Sequence, residues 1–157
     1  GLSAIAEAAH HGHLEVLRVL FKARAPINDL NKQLQTPLML AADAGHADVV
    51  QFLVDAGADL DVCEADRFTA LIIAASTGRV DIVKILVSAS ASLDNRNRSG
   101  ETALIAAAAN GYTDIVKILL DAGADTEVVS KEGATAVDVA EAGHHDDVVE
   151  LLKAHKK

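Results

Sequence analysis

The sequence predicts an all-α fold, a solenoid of stacked helix–turn–helix units, and the main evidence is a repeat of 33 residues. Threonine recurs at this interval, and glycine, an acidic residue and leucine recur at fixed distances after it. The four series are Thr36, Thr69, Thr102 and Thr135; Gly12, Gly45, Gly78 and Gly111; Glu15, Asp48, Asp81, Asp114 and Asp147; and Leu20, Leu53, Leu86, Leu119 and Leu152. Units of this size bury their apolar faces against their neighbours, so we expect an array without one central core.

Composition agrees with close helix packing and argues against several classes of protein. Half of the 157 residues are apolar, but only 3% are aromatic, so alanine must supply much of the packing surface. The formal net charge of −9 argues against a nucleic-acid or membrane-surface partner, because phosphate binding needs clustered Lys and Arg. No apolar run reaches the roughly 20 residues that span a bilayer. Cys63 is the single cysteine, so we expect a reducing compartment, cytoplasmic or nuclear.

Residues 30–62 show how one unit is built. Thr36 is a favourable helix cap, and Pro37 follows it at the one helical position where proline costs nothing. Gly45 is typical of a helix end. A second helix, with an acidic residue in its first turn, ends at Gly57. An extended loop or hairpin then leads to the next threonine, so each unit has two short helices and one projection.

Five segments of the sequence have the features of this unit, and they carry a resemblance to a known family. TPLMLAADAGHADVVQFLVDAGADLDV, TALIIAASTGRVDIVKILVSASASLDN and TALIAAAANGYTDIVKILLDAGADTEV resemble consecutive ankyrin repeats. SAIAEAAHHGHLEVLRVLFKARAPIND resembles a first repeat without its leading hairpin, and TAVDVAEAGHHDDVVELLKAHKK a last, capping repeat. The resemblance implies an ankyrin-repeat solenoid with projecting β-hairpins or loops, forming a single domain over 1–157. The expected repeats are 1–29, 30–62, 63–95, 96–128 and 129–157.

Some positions depart from the family pattern. Ser90 replaces a glycine, so we expect a less regular exit turn in the third repeat. In the last repeat the glycine comes one residue early, as Gly143, and His144 stands in the usual glycine place. Three polar residues replace apolar or alanine residues of the other repeats, as a solvent-facing cap requires: Asp138, Glu141 and Lys153.

Histidines form two runs that could suggest a metal site. The runs are His10, His11 and His13, and His144 and His145 with Asp146 and Asp147. Ligands on one helix share a face only when they are three or four residues apart, which only His10 and His13 approach. The resemblance places His13, His46 and His145 at a turn position where ankyrin repeats commonly have histidine. We therefore expect no metal site and no cofactor.

The sequence contains no catalytic constellation. It has no glycine-rich phosphate loop and no nucleophile elbow. Its acidic residues recur with the repeat, which indicates helix starts and surface groups, and Cys63 lies in an extended loop as an ordinary thiol. We expect that the protein is not an enzyme.

The resemblance implies that a partner contacts the tips of the projections and the exposed side of the inner helices. On that concave face, Leu40, Ile73, Ala106 and Val139 would form an apolar strip. Phe68 on a tip either touches a partner or folds back over the neighbouring projection. The predicted partner-binding residues are Leu40, Asp43, Asp66, Arg67, Phe68, Ile73, Thr77, Arg98, Glu101 and Asn110.

The leading functional prediction is an intracellular scaffold or interaction module that presents this surface to a protein or peptide and is itself monomeric. Two alternatives remain open: a stand-alone inhibitor of an enzyme such as a kinase, and the targeting segment of a larger protein. A reader of methylated lysine would need an aromatic cage. The dispersal of the aromatic residues over different repeats argues against that role; they are Phe21, Phe52, Phe68 and Tyr112.

Overall fold

The structure is a computed structural model that describes residues 3–155; the outer ends of the first and last predicted repeats, 1–2 and 156–157, lie outside the described residues. The described chain forms ten α-helices and no β-strand. The helices are α1 Ala4–His10, α2 Leu14–Lys22, α3 Pro37–Ala44, α4 Ala47–Asp55, α5 Ala70–Ser76, α6 Val80–Ser88, α7 Ala103–Ala109, α8 Thr113–Asp121, α9 Ala136–Ala142 and α10 Asp146–His155.

The helices form two rows. Each odd-numbered helix is joined to the next even-numbered helix by a turn of two or three residues, the connection typical of an antiparallel helix hairpin. Odd-numbered helices pack against one another in an inner row, and even-numbered helices do so in an outer row. The predicted all-α solenoid of stacked helix pairs is therefore confirmed.

The recurring threonines begin the inner helices α3, α5, α7 and α9, as predicted. Each hydroxyl accepts a hydrogen bond from the backbone N–H three residues later, at 3.2 to 3.4 Å. In α9 the Asp138 carboxylate also accepts a hydrogen bond from the Thr135 backbone N–H at 2.7 Å, so the two residues cap the helix reciprocally. Capping of this kind satisfies N–H groups that the first helical turn leaves unpaired.

Leucine and alanine repeat in the core between the two rows. Four of the recurring leucines, from α4, α6, α8 and α10, are fully buried: Leu53, Leu86, Leu119 and Leu152. Alanine is fully buried at one position of four inner helices: Ala41, Ala74, Ala107 and Ala140. Because alanine has the smallest packing side chain, it allows neighbouring inner helices to approach closely. The close approach of the inner helices also determines which side chains remain accessible on the concave face.

The turn after each inner helix has one residue with left-handed backbone. These residues are Gly12, Gly45, Gly78, Gly111 and His144, with φ between 58° and 85°. In the last repeat His144 takes the left-handed position, while Gly143 has φ −83° and remains right-handed. The register of the repeat is thus kept, although glycine has moved by one residue.

The expected irregularity at Ser90 is wrong. Ser90 takes the left-handed conformation of the equivalent Gly57, and both backbone N–H groups donate to the carbonyl three residues earlier at 3.0 Å. A Cβ atom added at Gly57 or at Gly123 would meet no atom within 4 Å. Because this turn is open to solvent, a side chain fits without collision and the turn stays regular.

The sequence predicted β-hairpins or loops between one helix pair and the next, and the described residues form loops closed by turns. We call the four tip loops tips 2 to 5: residues 31–35, 64–68, 97–101 and 130–134. In each tip the backbone N–H of the first residue donates to the carbonyl of the fifth at 2.9 to 3.1 Å. One such bond closes a turn but is too few to form a strand ladder.

Candidate protein-binding surface

The first residue of each tip loop holds the loop in shape with its side chain. Asn97 Oδ1 accepts hydrogen bonds from the backbone N–H groups of Ser99 and Glu101, both at 2.9 Å. Equivalent pairs of bonds are made by Asn31, Glu64 and Ser130. Side chains of this kind stabilise turns by binding their own backbone. This role could not be predicted from the repeat pattern, because three different residue types perform it.

Neighbouring tips are also joined to one another. The backbone N–H of Ala65 donates to the Gln33 carbonyl at 3.3 Å. Arg98 donates in the same way to Asp66, and Lys131 to Ser99, each at 2.8 Å. The four tips therefore form a continuous row in which each loop is positioned by the one before it.

Arg98 and Asp66, both predicted site residues, meet across tips 3 and 4. Arg98 Nη1 lies 3.3 Å from Asp66 Oδ1, and Nη2 donates to the Ala65 carbonyl at 3.1 Å. Both side chains remain more than half exposed. An exposed ion pair contributes only about 0–1 kcal/mol to the free energy of unfolding. A partner can therefore displace this pair and bind its two side chains with little loss of stability.

Phe68 and Arg67 occupy tip 3 in different ways. Arg67 is exposed and has left-handed backbone, at the position that glycine takes in tips 4 and 5. Phe68 is half-buried and packs against the hydrophobic core. Of the two readings of Phe68, the structure therefore shows the ring folded back, with only part of it accessible.

The expected apolar strip along the concave face is interrupted. Leu40 and Ala106 are each only 7% exposed, while Ile73 and Val139 are half-buried and keep part of their surface accessible. The inner helices meet at buried alanines, so they lie close enough to cover Leu40 and Ala106. Leu40 therefore cannot act as a surface contact in this conformation.

The polar residues of the inner helices remain at the surface. Asp43, Thr77 and Asn110 are exposed. Thr77 Oγ1 donates to the Ile73 carbonyl at 2.8 Å, and Asn110 Nδ2 donates to the Ala106 carbonyl at 2.9 Å. Each side chain thus donates a hydrogen bond to a carbonyl near the end of its own helix. Its other hydrogen-bonding groups remain available at the surface.

A cleft of about 320 Å³ opens between tips 4 and 5 and helix α9. Its lining includes the predicted residues Arg98 and Glu101, together with Lys131 and Val139. Ala134 also lines it, at the position that Glu101 and Phe68 take in tips 4 and 3. Its small side chain takes up less space than Glu101 or Phe68 would at that position. The surface is therefore indented between tips 4 and 5, which the sequence did not predict.

The turn histidines join neighbouring repeats. His46 Nε2 lies 3.1 Å from the carbonyl oxygen of His10, and His145 Nε2 lies 3.0 Å from that of Ala109. Arg79 takes the same turn position in the third repeat, and its Nη2 donates to the Asp43 carbonyl at 3.2 Å. Within residues 3–155, no three His, Cys, Asp or Glu residues are grouped to hold a metal ion.

Two of the aromatic residues that were expected to lie apart are in contact. Phe21 and Phe52 pack edge to face with their ring centres 5.7 Å apart, because stacking of the repeats brings α2 beside α4. The Arg18 guanidinium carbon lies 5.2 Å from the centre of the Phe52 ring. The face of that ring is thus already in contact with a cation of the chain itself.

These features define a repeat solenoid that presents a preformed row of loops beside an inner layer of helices. A family model for ankyrin repeats matches the chain in three overlapping copies, at residues 1–62, 56–130 and 90–157. The chain belongs to the ankyrin repeat family. Ankyrin repeats are generally protein–protein interaction modules, and the family is typically non-enzymatic.

Two further findings concern relatives of the chain and membrane-spanning helices. The chain has no match among curated proteins at the similarity required to identify a relative. Among residues 3–155, every helix is too short or too polar to cross a membrane.

Proposed function

We propose that this chain binds a protein or an extended peptide on the concave surface formed by tips 2 to 5 and the inner helices. The observation that carries the proposal is the row of tips. Each tip is closed by its own side chain, and each is hydrogen-bonded to the next. A surface that is rigid before binding loses little conformational entropy when a partner arrives, so its contacts are converted efficiently into affinity.

The centre of the proposed site is the exposed group around tips 3 and 4. Arg98 and Asp66 offer charge and hydrogen-bonding groups, and Arg67 is exposed next to Asp66 in the chain. Arginine is among the residues that most often dominate binding energy at interfaces. Ile73 and Phe68 add partly accessible apolar surface. The remaining proposed contacts are Asp43, Thr77, Glu101 and Asn110, and Leu40 leaves the set because it is buried.

The net charge of the chain indicates which kinds of partner it can bind. A net charge of −9 repels phosphate-rich partners, which argues against nucleic acid and against an anionic membrane. The same charge accelerates the approach of a partner segment that is basic. We further propose an intracellular location, cytoplasmic or nuclear, because the single cysteine Cys63 is an exposed free thiol.

Affinity capture with matched charge-reversal variants tests the proposal. Wild-type chain, Arg98→Glu and Lys117→Glu are immobilised at equal density, and captured proteins are identified by mass spectrometry. Lys117 lies exposed on the outer helix α8, so its reversal changes the net charge equally but leaves the concave surface intact. We expect a protein that is retained by wild type and Lys117→Glu and lost from Arg98→Glu. Loss from Lys117→Glu alone would place binding on the outer helices and overturn the proposal.

The two alternative roles use the same surface. A stand-alone inhibitor of an enzyme such as a kinase would show that enzyme among the captured proteins. A targeting segment of a larger protein would show a structural or membrane-associated partner in its place. The identity of the captured protein therefore separates these roles.

A further inference from the structure

The backbone contact between tips 3 and 4 recurs between tips 4 and 5. Arg98, the second residue of tip 4, donates its backbone N–H to the Asp66 carbonyl at 2.8 Å. Lys131, the second residue of tip 5, donates in the same way to the Ser99 carbonyl, also at 2.8 Å. Lys131 and Ser99 each come one repeat after their counterparts. Both contacts therefore bring a cationic residue to the same place beside the preceding tip.

The two contacts differ in the side chain that the preceding tip supplies. Between tips 3 and 4, Asp66 Oδ1 lies 3.3 Å from Arg98 Nη1, so the chain itself provides the counter-ion. Between tips 4 and 5, Ser99 stands in the place of Asp66 and has no carboxylate. Among residues 3–155, the Lys131 ammonium group forms neither an ion pair nor a hydrogen bond. Lys131 is therefore an exposed cation without the counter-ion that its equivalent has.

Lys131 and Ser99 both line the cleft of about 320 Å³ between tips 4 and 5. Ala134 and Val139, which are half-buried, add apolar surface to the same cleft. An acidic side chain suits such a lining. Its methylene groups can pack against the apolar residues, and its oxygens can accept hydrogen bonds from an ammonium group and a hydroxyl.

Two glutamates of the chain also line the cleft, Glu101 and Glu132. Glu101 Oε2 accepts a hydrogen bond from Asn97 Nδ2 at 2.9 Å, which holds this carboxylate on the first residue of its own tip. Within residues 3–155, neither glutamate forms an ion pair with Lys131, so neither takes the part of Asp66. Both repel further anionic groups. The cleft therefore favours one acidic side chain and disfavours an acidic run.

We propose that the cleft between tips 4 and 5 binds one Asp or Glu side chain of the protein partner, held by the Lys131 ammonium group and the Ser99 hydroxyl. This inference rests on the proposed function, since it concerns the segment that lies along the tips. The partner's carboxylate takes the part that Asp66 has one repeat earlier, and Lys131 determines specificity there. The net charge of −9 acts on the approach of the whole segment, whereas this contact depends on the group beside Lys131. A basic segment with one acidic residue satisfies both.

Parallel selection of a random peptide library displayed on phage tests this preference. The library is selected on wild type, Lys131→Glu, Ser99→Asp and Lys84→Glu. Lys84 lies exposed on the outer helix α6, so its reversal changes the net charge equally but leaves the cleft intact. Peptides from wild type and Lys84→Glu should carry Asp or Glu at one fixed position, and those from Lys131→Glu should carry Lys or Arg there. Ser99→Asp should lose the preference, because the chain then supplies the carboxylate itself.

The affinity of one selected peptide measures the contact directly. Replacement of its acidic residue by the corresponding amide should weaken binding to the wild type about three- to tenfold, since a partly exposed ion pair contributes modestly. The acidic peptide and its amide should bind Lys131→Gln with equal affinity, because the contact is already lost. Circular dichroism spectra verify that the variants remain folded.

The outcomes of the selection separate this inference from the proposed function. Wild-type peptides that lack a preferred acidic position, or an unchanged acidic preference on Lys131→Glu, would overturn the inference. If those peptides are nevertheless lost from Arg98→Glu, the proposed function stands. Absence of any enriched peptide on the wild type would overturn the proposed function and the inference with it.

Discussion

Substitution of glycine by alanine should lower the free energy of unfolding by unequal amounts at two positions of the repeat. Gly57 and Gly111 both have left-handed backbone, with φ of 87° and 71°. A Cβ atom added at Gly57 would meet nothing within 4 Å, whereas one at Gly111 would lie 2.5 Å from Nδ1 of His145. The His145 ring cannot yield freely, because its Nε2 lies 3.0 Å from the Ala109 carbonyl oxygen in the neighbouring repeat.

The magnitudes follow from these surroundings. A left-handed alanine costs about 1–2 kcal/mol, and the lower entropy of alanine in the unfolded chain offsets about 0.5–1 kcal/mol of this. Gly57→Ala should therefore lower the free energy of unfolding by roughly 0.5–1 kcal/mol. Gly111→Ala adds about 1–3 kcal/mol for crowding a packed contact and about 1 kcal/mol for disturbing the His145 hydrogen bond. Its total loss of unfolding free energy should reach about 2.5–5 kcal/mol.

Equilibrium urea unfolding of both single variants measures the difference. A double-mutant cycle with His145→Ala isolates its cause, because removal of the ring leaves space for the new methyl group. In the His145→Ala background, Gly111→Ala should cost about as much as Gly57→Ala does in the wild type. Equal losses for the two single variants, or an undiminished cost of Gly111→Ala without the ring, would refute the reasoning.

Three further predictions concern the stability of the stack. Ser90→Gly should raise the free energy of unfolding by about 0.5–1 kcal/mol, since glycine accepts the left-handed turn without strain; a loss in urea unfolding would contradict this. Ala74→Leu should lower it by about 1–3 kcal/mol, because Ala74 is fully buried between inner helices; an unchanged melting temperature would show spare room there. A chelator should leave the melting temperature unchanged, and a clear decrease would reveal a structural metal ion.

The helix boundaries could be predicted because their causes are local. The start of α3 follows from Thr36 and Pro37, and its end follows from Gly45, all within one unit of the repeat. The same holds for the left-handed place of His144, which the register of the repeat fixes even though glycine has moved. Capping and turn conformation depend on residues a few positions apart, and the sequence contains that information directly.

Accessibility could not be predicted in the same way, because it depends on distances between repeats. Leu40 occupies an outward position on its own helix, yet the neighbouring inner helices cover it. Phe21 and Phe52 are 31 residues apart but come into ring contact when the helices stack. Val16 shows the converse, since the same position is buried in the four later repeats, whereas Val16 is 49% exposed in the described chain. The repeat specifies how each unit folds, whereas the spacing of the units decides which side chains a partner can reach.

The last prediction concerns how binding at tips 3 and 4 can be separated from stability. If the Phe68 ring contacts a partner, Phe68→Ala should weaken binding by about 1–3 kcal/mol. Since the ring is half-buried against the core, the same substitution should also lower stability by about 1 kcal/mol or more. Phe68→Ala would therefore change affinity and stability together, and it cannot serve as the decisive variant.

Arg98→Ala separates the two effects. The Arg98–Asp66 ion pair is exposed, so its loss should change stability by less than about 1 kcal/mol. If Arg98 contributes to a central contact, partner affinity should decrease by about 1–3 kcal/mol. Isothermal titration calorimetry and thermal melts on wild type, Arg98→Ala and the outer-helix control Lys117→Ala measure both quantities. Unchanged affinity for Arg98→Ala together with weakened binding by Lys117→Ala would move the interface to the outer helices, because only there does the control alter the surface.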